Sequence, residues 1–279
     1  MAQTPDSLTI AVLGAGSMGG AIARGVAASD LPARIVVTNR TAAKAQTFAG
    51  VDGIESVSLD TTPEGNREAA SAADVVLVGV KPAMVPDLLI EIAPVLRPDT
   101  IVVSVAAGVT IATFESRLPP GTAVLRSMPN TPALVGRGVT GLATGSHVDA
   151  AAVALVRRVF ETVGIVVETP EAQIDALSTI SGSGPAYVYL LIEQLTLAAM
   201  AKGFTTEQAR LLSEQTFIGA AALLEASGED PAELRRQVTS PKGTTERAVA
   251  VLQDADLAEV FGRATDAALA RARELAAGA

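Results

Sequence analysis

Three short stretches carry residue types whose spacing could do chemistry. Gly14-Ala15-Gly16-Ser17-Met18-Gly19-Gly20 has the spacing G-x-G-x-x-G, directly after the apolar run Leu8 to Leu13 and ahead of Ala21 to Ala28, which reads as helix. Strand, glycine turn and helix in that order put bare backbone N–H groups at the positive end of a helix dipole, an arrangement that takes a pyrophosphate. In it Gly14 makes the tight turn, Gly16 admits the phosphates and Gly19 lets the helix pack on the strand. Next, Asn39-Arg40 follows the β-branched run Arg34 to Thr38, where a site for an unphosphorylated ribose carries Asp or Glu. Arg40, with Lys44 one turn into the following helix, suits a 2′-phosphate, which favours NADPH and leaves NADH as the second donor. Last, Val238-Thr239-Ser240-Pro241-Lys242-Gly243-Thr244-Thr245-Glu246 precedes Arg247 to Leu252, which reads as helix. Hydroxyls and a glycine at a helix start suit a small carboxylate, and equally an ordinary helix cap.

Other reactive groups are scarce. The chain has no Cys and one His, His147, which stands just before an expected helix in an exposed or capping position. No H-x-x-E or Asp-rich spacing suggests a metal site. Ser183, in Ser181-Gly182-Ser183-Gly184-Pro185, has no His placed to activate it. The nucleophile must therefore be brought in, and a reduced nicotinamide carries one as hydride.

The elements that would position these stretches follow from the apolar pattern. Beyond the first two strands, Asp74 to Val80, Ile101 to Val105, Ala123 to Arg126 and Gly138 to Ala143 read as strands, with a last short one at Ile165 to Glu168 after a helix over Val148 to Val163. Strands alternating with helical segments imply a Rossmann-type doubly wound, mostly parallel sheet whose carboxyl ends collect the ligand residues. Past Pro170 the residues favour helix almost throughout, so the expected division is 1–170 for nucleotide binding and 171–279 for an all-α substrate-binding and dimerisation domain. Thr205 with Gln208 makes one capping box and Asp230 with Glu233 another. Phe217 to Leu224 is apolar or small all round, which points to burial in a subunit interface rather than in a thin bundle.

Composition sets outer limits. The 279 residues are 49% hydrophobic and 3% aromatic, and 21 Lys and Arg against 30 Asp and Glu leave a net charge of -9, which argues against a nucleic-acid partner. Met1 to Ser7 lacks a signal peptide's positive charge, and the apolar stretches fall short of the ~20 residues that cross a bilayer. The expectation is a cytoplasmic protein with no membrane partner.

Six motifs in order resemble pyrroline-5-carboxylate reductase: G-A-G-S-M-G-G, G-V-K-P (Gly79 to Pro82), V-A-A-G-V (Val105 to Val109), R-S-M-P-N-T-P-A (Arg126 to Ala133), S-G-S-G-P-A-Y (Ser181 to Tyr187) and V-T-S-P-K-G-T-T. The resemblance implies reduction of the imine of 1-pyrroline-5-carboxylate to L-proline by NAD(P)H, in a homodimer, with five dimers forming a decamer. It implies cofactor contacts at Leu13, Gly14, Ala15, Gly16, Ser17, Met18, Gly19, Asn39, Arg40, Asn66, Val80, Lys81, Pro82, Val105, Ala106 and Ala107. Substrate contacts fall at Glu171, Gln237, Ser240, Gly243, Thr244 and Thr245, partly from the partner subunit, with the Thr245 hydroxyl on the ring nitrogen. Lys242 stands where the family frequently has glycine, and Gln237 where asparagine is common. Two rivals are a hydroxyacid dehydrogenase of similar architecture, whose base would have to be Lys242, and a non-catalytic NADP-binding regulator.

Overall fold

The computed structural model describes residues 8–276; Met1 to Ser7 lie outside the described residues. Compact packing separates two units, one of residues 8–183 with 269–276 and the other Gly184–Ala268.

The first unit begins β1 (Leu8–Leu13), α1 (Ser17–Ala27), β2 (Ala33–Asn39), α2 (Ala42–Ala45), β3 (Ile54–Ser58), α3 (Gly65–Ala72) and β4 (Val75–Val78). It continues α4 (Val85–Ile92), β5 (Ile101–Ser104), α5 (Ile111–Glu115), β6 (Ala123–Met128), β7 (Gly138–Thr144), α6 (Ala150–Glu161), β8 (Gly164–Glu168) and α7 (Glu171–Leu177), closing on a π-helical turn over Ser178–Gly182. The strands form one sheet in the order β3-β2-β1-β4-β5-β6-β7-β8, parallel throughout except where β6 meets β7. Alternate residues feed opposite faces. Ile10, Val12, Val75 and Leu77 pack with Ile22 of α1 and Phe160 of α6, while Ala11, Leu13, Val76 and Val78 pack with Leu89 of α4 and Phe114 of α5. Strands covered on both faces read as continuous apolar runs, which is why most of them were legible.

One expectation needs correction here: Ile54–Ser58 is a strand that the apolar pattern did not reveal. His147 is exposed, and the α6 cap is Asp149, whose carboxylate accepts the Ala152 N–H at 2.7 Å. Compactness and composition also divide the chain at different points, since the sheet unit runs on through Ser183. The reason is a buried Arg126 on β6, which holds α7 through Asp175 at 2.6 Å and Glu171 at 3.4 Å.

The second unit holds α8 (Gly184–Ala201), α9 (Thr206–Ser227), α10 (Pro231–Gln237) and α11 (Thr244–Asp254), and α12 (Leu257–Ala276) starts in it. The Thr205–Gln208 capping box forms with both its bonds. Asp230 caps α10 through the Ala232 N–H at 2.8 Å, but Glu233 does not reach back to close a box, because its carboxylate is taken by Arg236. Ala209 and Ser213 are the only buried residues of α8 to α11. Large apolar side chains lie open instead, among them Leu190, Leu197, Leu211, Ile218 and Leu223. Among the described residues no helix is long and apolar enough to cross a membrane.

Candidate active site

Five parallel strands of the first unit stop in register. Thr38 pairs with Leu13, Leu13 with Val78, Val78 with Ser104 and Ser104 with Arg126, so the stretches that follow them share one edge of the sheet. Those stretches are Asn39-Arg40, the glycine turn, Gly79 to Pro82, Val105 to Ala107 and Ser127 to Asn130. The sequence-derived cofactor residues are thereby brought together, with the strand order reversing at β1 and β4.

The glycine turn has the shape that a pyrophosphate requires. Gly14 has φ +84°, and a Cβ there would meet Val80 Cγ1 at 2.6 Å, so no other residue fits. A Cβ on Gly16 would meet nothing within 4 Å, because that side faces open space. The N–H groups of Gly14 and Ala15 are taken by the Thr38 carbonyl and that of Gly16 by the Gly14 carbonyl. No side chain caps α1, so Ser17, Met18 and Gly19 present the N–H groups left without an intrahelical acceptor. Leu13 and Ala15 are buried, and the Leu13 carbonyl accepts the Gly79 N–H at 2.8 Å, which fixes the turn.

Asn39 is buried at the end of β2 with its Nδ2 donor unpaired, an orphan that a ribose or phosphate oxygen would satisfy. Arg40 is exposed and lies 3.4 Å from the Met84 sulfur, with no carboxylate partner among the described residues. Lys44 is likewise exposed. Asn66 lies in the first turn of α3. Its Oδ1 accepts the Thr38 hydroxyl at 2.7 Å and its Nδ2 reaches Glu91 at 3.4 Å, so the amide braces Thr38, whose oxygens hold the Gly14 N–H. Lys81, Pro82 and Ala107 are exposed, Val80 and Val105 half-buried, and Ala106 buried.

The substrate residues fall in both units. Glu171 belongs to the first, where its Oε1 accepts the Ile111 N–H at 2.7 Å as well as facing Arg126, a brace between α7, α5 and β6. Ser240 and Gly243 to Thr245 form one turn at the start of α11 in the second unit. The Gly243 N–H is taken by the Ser240 carbonyl at 3.0 Å, and a Cβ on Gly243 would strike Ser240 Oγ at 2.5 Å. No side chain caps α11 from Gly243, which leaves the N–H groups of Thr244 and Thr245 facing out. Glu246 instead accepts the Lys242 N–H at 2.8 Å. Lys242 itself has φ +61°, a conformation glycine takes without cost. Gln237 ends α10 with its Nε2 on Glu229 at 2.6 Å, a carboxylate in the connection between α9 and α10. The Arg236 guanidinium beside Glu233 holds that carboxyl below its ordinary range.

The fit to a phosphorylated dinucleotide and a small acid agrees with known relatives. Residues 171–275 match the family described as pyrroline-5-carboxylate reductase dimerisation, and residues 9–108 the family described as NADP oxidoreductase coenzyme F420-dependent. A pyrroline-5-carboxylate reductase of Corynebacterium melassecola is 39% identical over 271 residues, 96% of this chain and 98% of that one. The chain belongs to the pyrroline-5-carboxylate reductase family. A solved reductase of this family from Coxiella burnetii matches with TM-score 0.90 at 38% identity, over 97% of this chain and 99% of that one. The Plasmodium falciparum pyrroline carboxylate reductase, solved with NADP bound, matches with TM-score 0.80 at 26% identity over 98% of this chain and 100% of its own. The dimerisation match spans α7 to α12, which accounts for the open apolar helices as a self-association surface of this reductase family.

Proposed function

We propose that this chain reduces 1-pyrroline-5-carboxylate to L-proline with NADPH as the preferred donor, the last step of proline biosynthesis. The observation that carries the reading is the identity to a reductase along 98% of that relative's length, which takes in both the nucleotide edge and the α11 turn. Ser17, Met18 and Gly19 hold the pyrophosphate through N–H groups, and Asn39, Arg40 and Lys44 recognise the 2′-phosphate end. When bound, the dinucleotide supplies a hydride to C5 of the ring, which with one proton on nitrogen turns the C=N bond into C–N.

The protein's part is chiefly orientation. An imine carbon is already electrophilic, so neither metal nor strong base is required. The N–H groups of Thr244 and Thr245, in the turn that Gly243 and Ser240 shape, hold the substrate carboxylate, and the Thr245 hydroxyl bonds the ring nitrogen. Correct placement of the reacting atoms alone supplies roughly 7 kcal/mol or more. By the family resemblance Glu171 and Gln237 are further substrate residues, and the partner subunit contributes part of the set. The enzyme works as a homodimer, with dimers joining into a decamer, in the cytoplasm.

The test is NADPH and NADH oxidation followed at the nicotinamide absorbance with pyrroline-5-carboxylate, proline identified as product, and the mass in solution measured on the same sample. Binding of NADPH without its oxidation would overturn the reading in favour of a regulator. Activity that survives Thr245→Ala but not Lys242→Ala would favour the dehydrogenase.

A further inference from the structure

The M-P-N-T-P and S-G-S-G-P motifs have no role in the reading above, yet the sheet unit brings them together. Asn130 follows β6 between Pro129 and Pro132, residues that cannot extend a regular ladder. Its side chain is buried and makes two bonds of 2.8 Å: Oδ1 accepts the Val139 N–H in β7, and Nδ2 donates to the Ser181 carbonyl. Ser181 lies in the π-helical turn, where the Ser183 N–H bonds the Ser178 carbonyl at 2.9 Å. Such turns are rare, and they concentrate at functional sites. A Cβ on Gly182 would stand 3.5 Å from Met128 Cε, so the same turn packs over the last residue of β6.

The place of this clamp on the sheet edge gives it meaning. Arg40 follows β2, on one side of the β1 and β4 switch point, and Asn130 follows β6, on the other. A dinucleotide whose 2′-phosphate is read at β2 lays its nicotinamide half toward the ends of β4, β5 and β6.

We infer that Asn130 is a positioning residue for hydride transfer, fixing Met128 and the Ser178–Gly182 turn as the wall against which the nicotinamide ring is held. The inference rests on the reductase reading. Affinity for the dinucleotide comes mainly from its phosphates at β1 and β2, whereas rate depends on where the ring lies. A misplacement of about 1 Å lowers rate on the order of 100-fold. Loosening the wall therefore acts on kcat and leaves binding alone.

Asn130→Asp keeps the acceptor for Val139 and replaces the donor to Ser181 with a carboxylate oxygen, which repels the Ser181 carbonyl. The expected result is a kcat reduced about 10- to 100-fold, with the NADPH Kd from nucleotide fluorescence and the KM for the imine each within about threefold, a shift too small to account for such a loss. Amide hydrogen exchange should quicken over residues 178–184 in the substrate-free protein, and the deuterium isotope effect on kcat from NADPH labelled at C4 should rise. Gly182→Ala, which leaves both Asn130 bonds in place and adds a methyl toward Met128, reads the same wall should Asn130→Asp fail to fold. A wild type that reduces the imine while the folded variant matches its kcat overturns the role of Asn130 alone. A wild type that binds NADPH and reduces nothing overturns the reductase reading instead. Faster exchange over 178–184 without loss of kcat would show a brace with no part in positioning, and so overturn the inference as well.

Discussion

Arg40 has a thioether against it and, among the described residues, no carboxylate, so its charge is available to a phosphate. Arg40→Glu should weaken NADPH on the order of 10- to 100-fold, the loss of a charge-assisted bond worth ~1.5–3 kcal/mol, while NADH changes little; KM values for the two donors decide it. Thr245→Ala, at the second turn, should lower kcat on the order of 10- to 100-fold, a loss typical of one aligned donor, and leave the NADPH Kd within about twofold, a difference under 0.5 kcal/mol. Equal loss of both would remove Thr245 from the chemistry. Residue types were legible in the sequence wherever main chain does the work, as at Gly14, Gly16 and Gly243. They were less legible where a side chain acts through another: no spacing announces that the Asn66 amide joins Thr38 to Glu91. Nor does any local pattern announce that Glu171 answers to Ile111, sixty positions away in the chain.

Among the elements, the strands buried on both faces were plain as apolar runs, and the one missed had a physical reason for being missed. Ile54-Glu55-Ser56-Val57-Ser58 is the edge strand β3, half-exposed, with too few apolar residues to stand out from a loop. The reversal at β7 was equally hidden, since direction follows from the short connection after β6 and leaves no mark on composition. The tie between β6 and α7 was also unread, because a buried Arg126 meets its partners only in three dimensions. Asp175→Ala should destabilise by about 2–3 kcal/mol, somewhat below the 3–5 for a fully enclosed pair because its side chain is 28% exposed. Chemical denaturation checks this, and the double variant Arg126→Met with Asp175→Leu should lose less than the two single changes summed.

For the whole molecule, the helical half explains why Phe217 to Leu224 is oily on every side. In the single chain Ile218 is 59% and Leu223 55% exposed, so burial within its own unit is ruled out and a second chain is the remaining cover. Ile218→Asp should lower the mass in solution toward that of one chain and reduce the specific rate at least tenfold, since burying an unpaired carboxylate costs several kcal/mol. Light scattering and the imine assay on one sample decide it. Retention of full mass would place Ile218 outside the contact.

That uncovered surface makes dilution a stress in its own right. A protein whose helices find their interior only in company has a melting point that climbs with concentration, and no single number describes its stability. Nanomolar stocks should therefore fade on the bench with every covalent bond intact, recover when concentrated, and be spared by an excess of an inactive sister variant that still pairs.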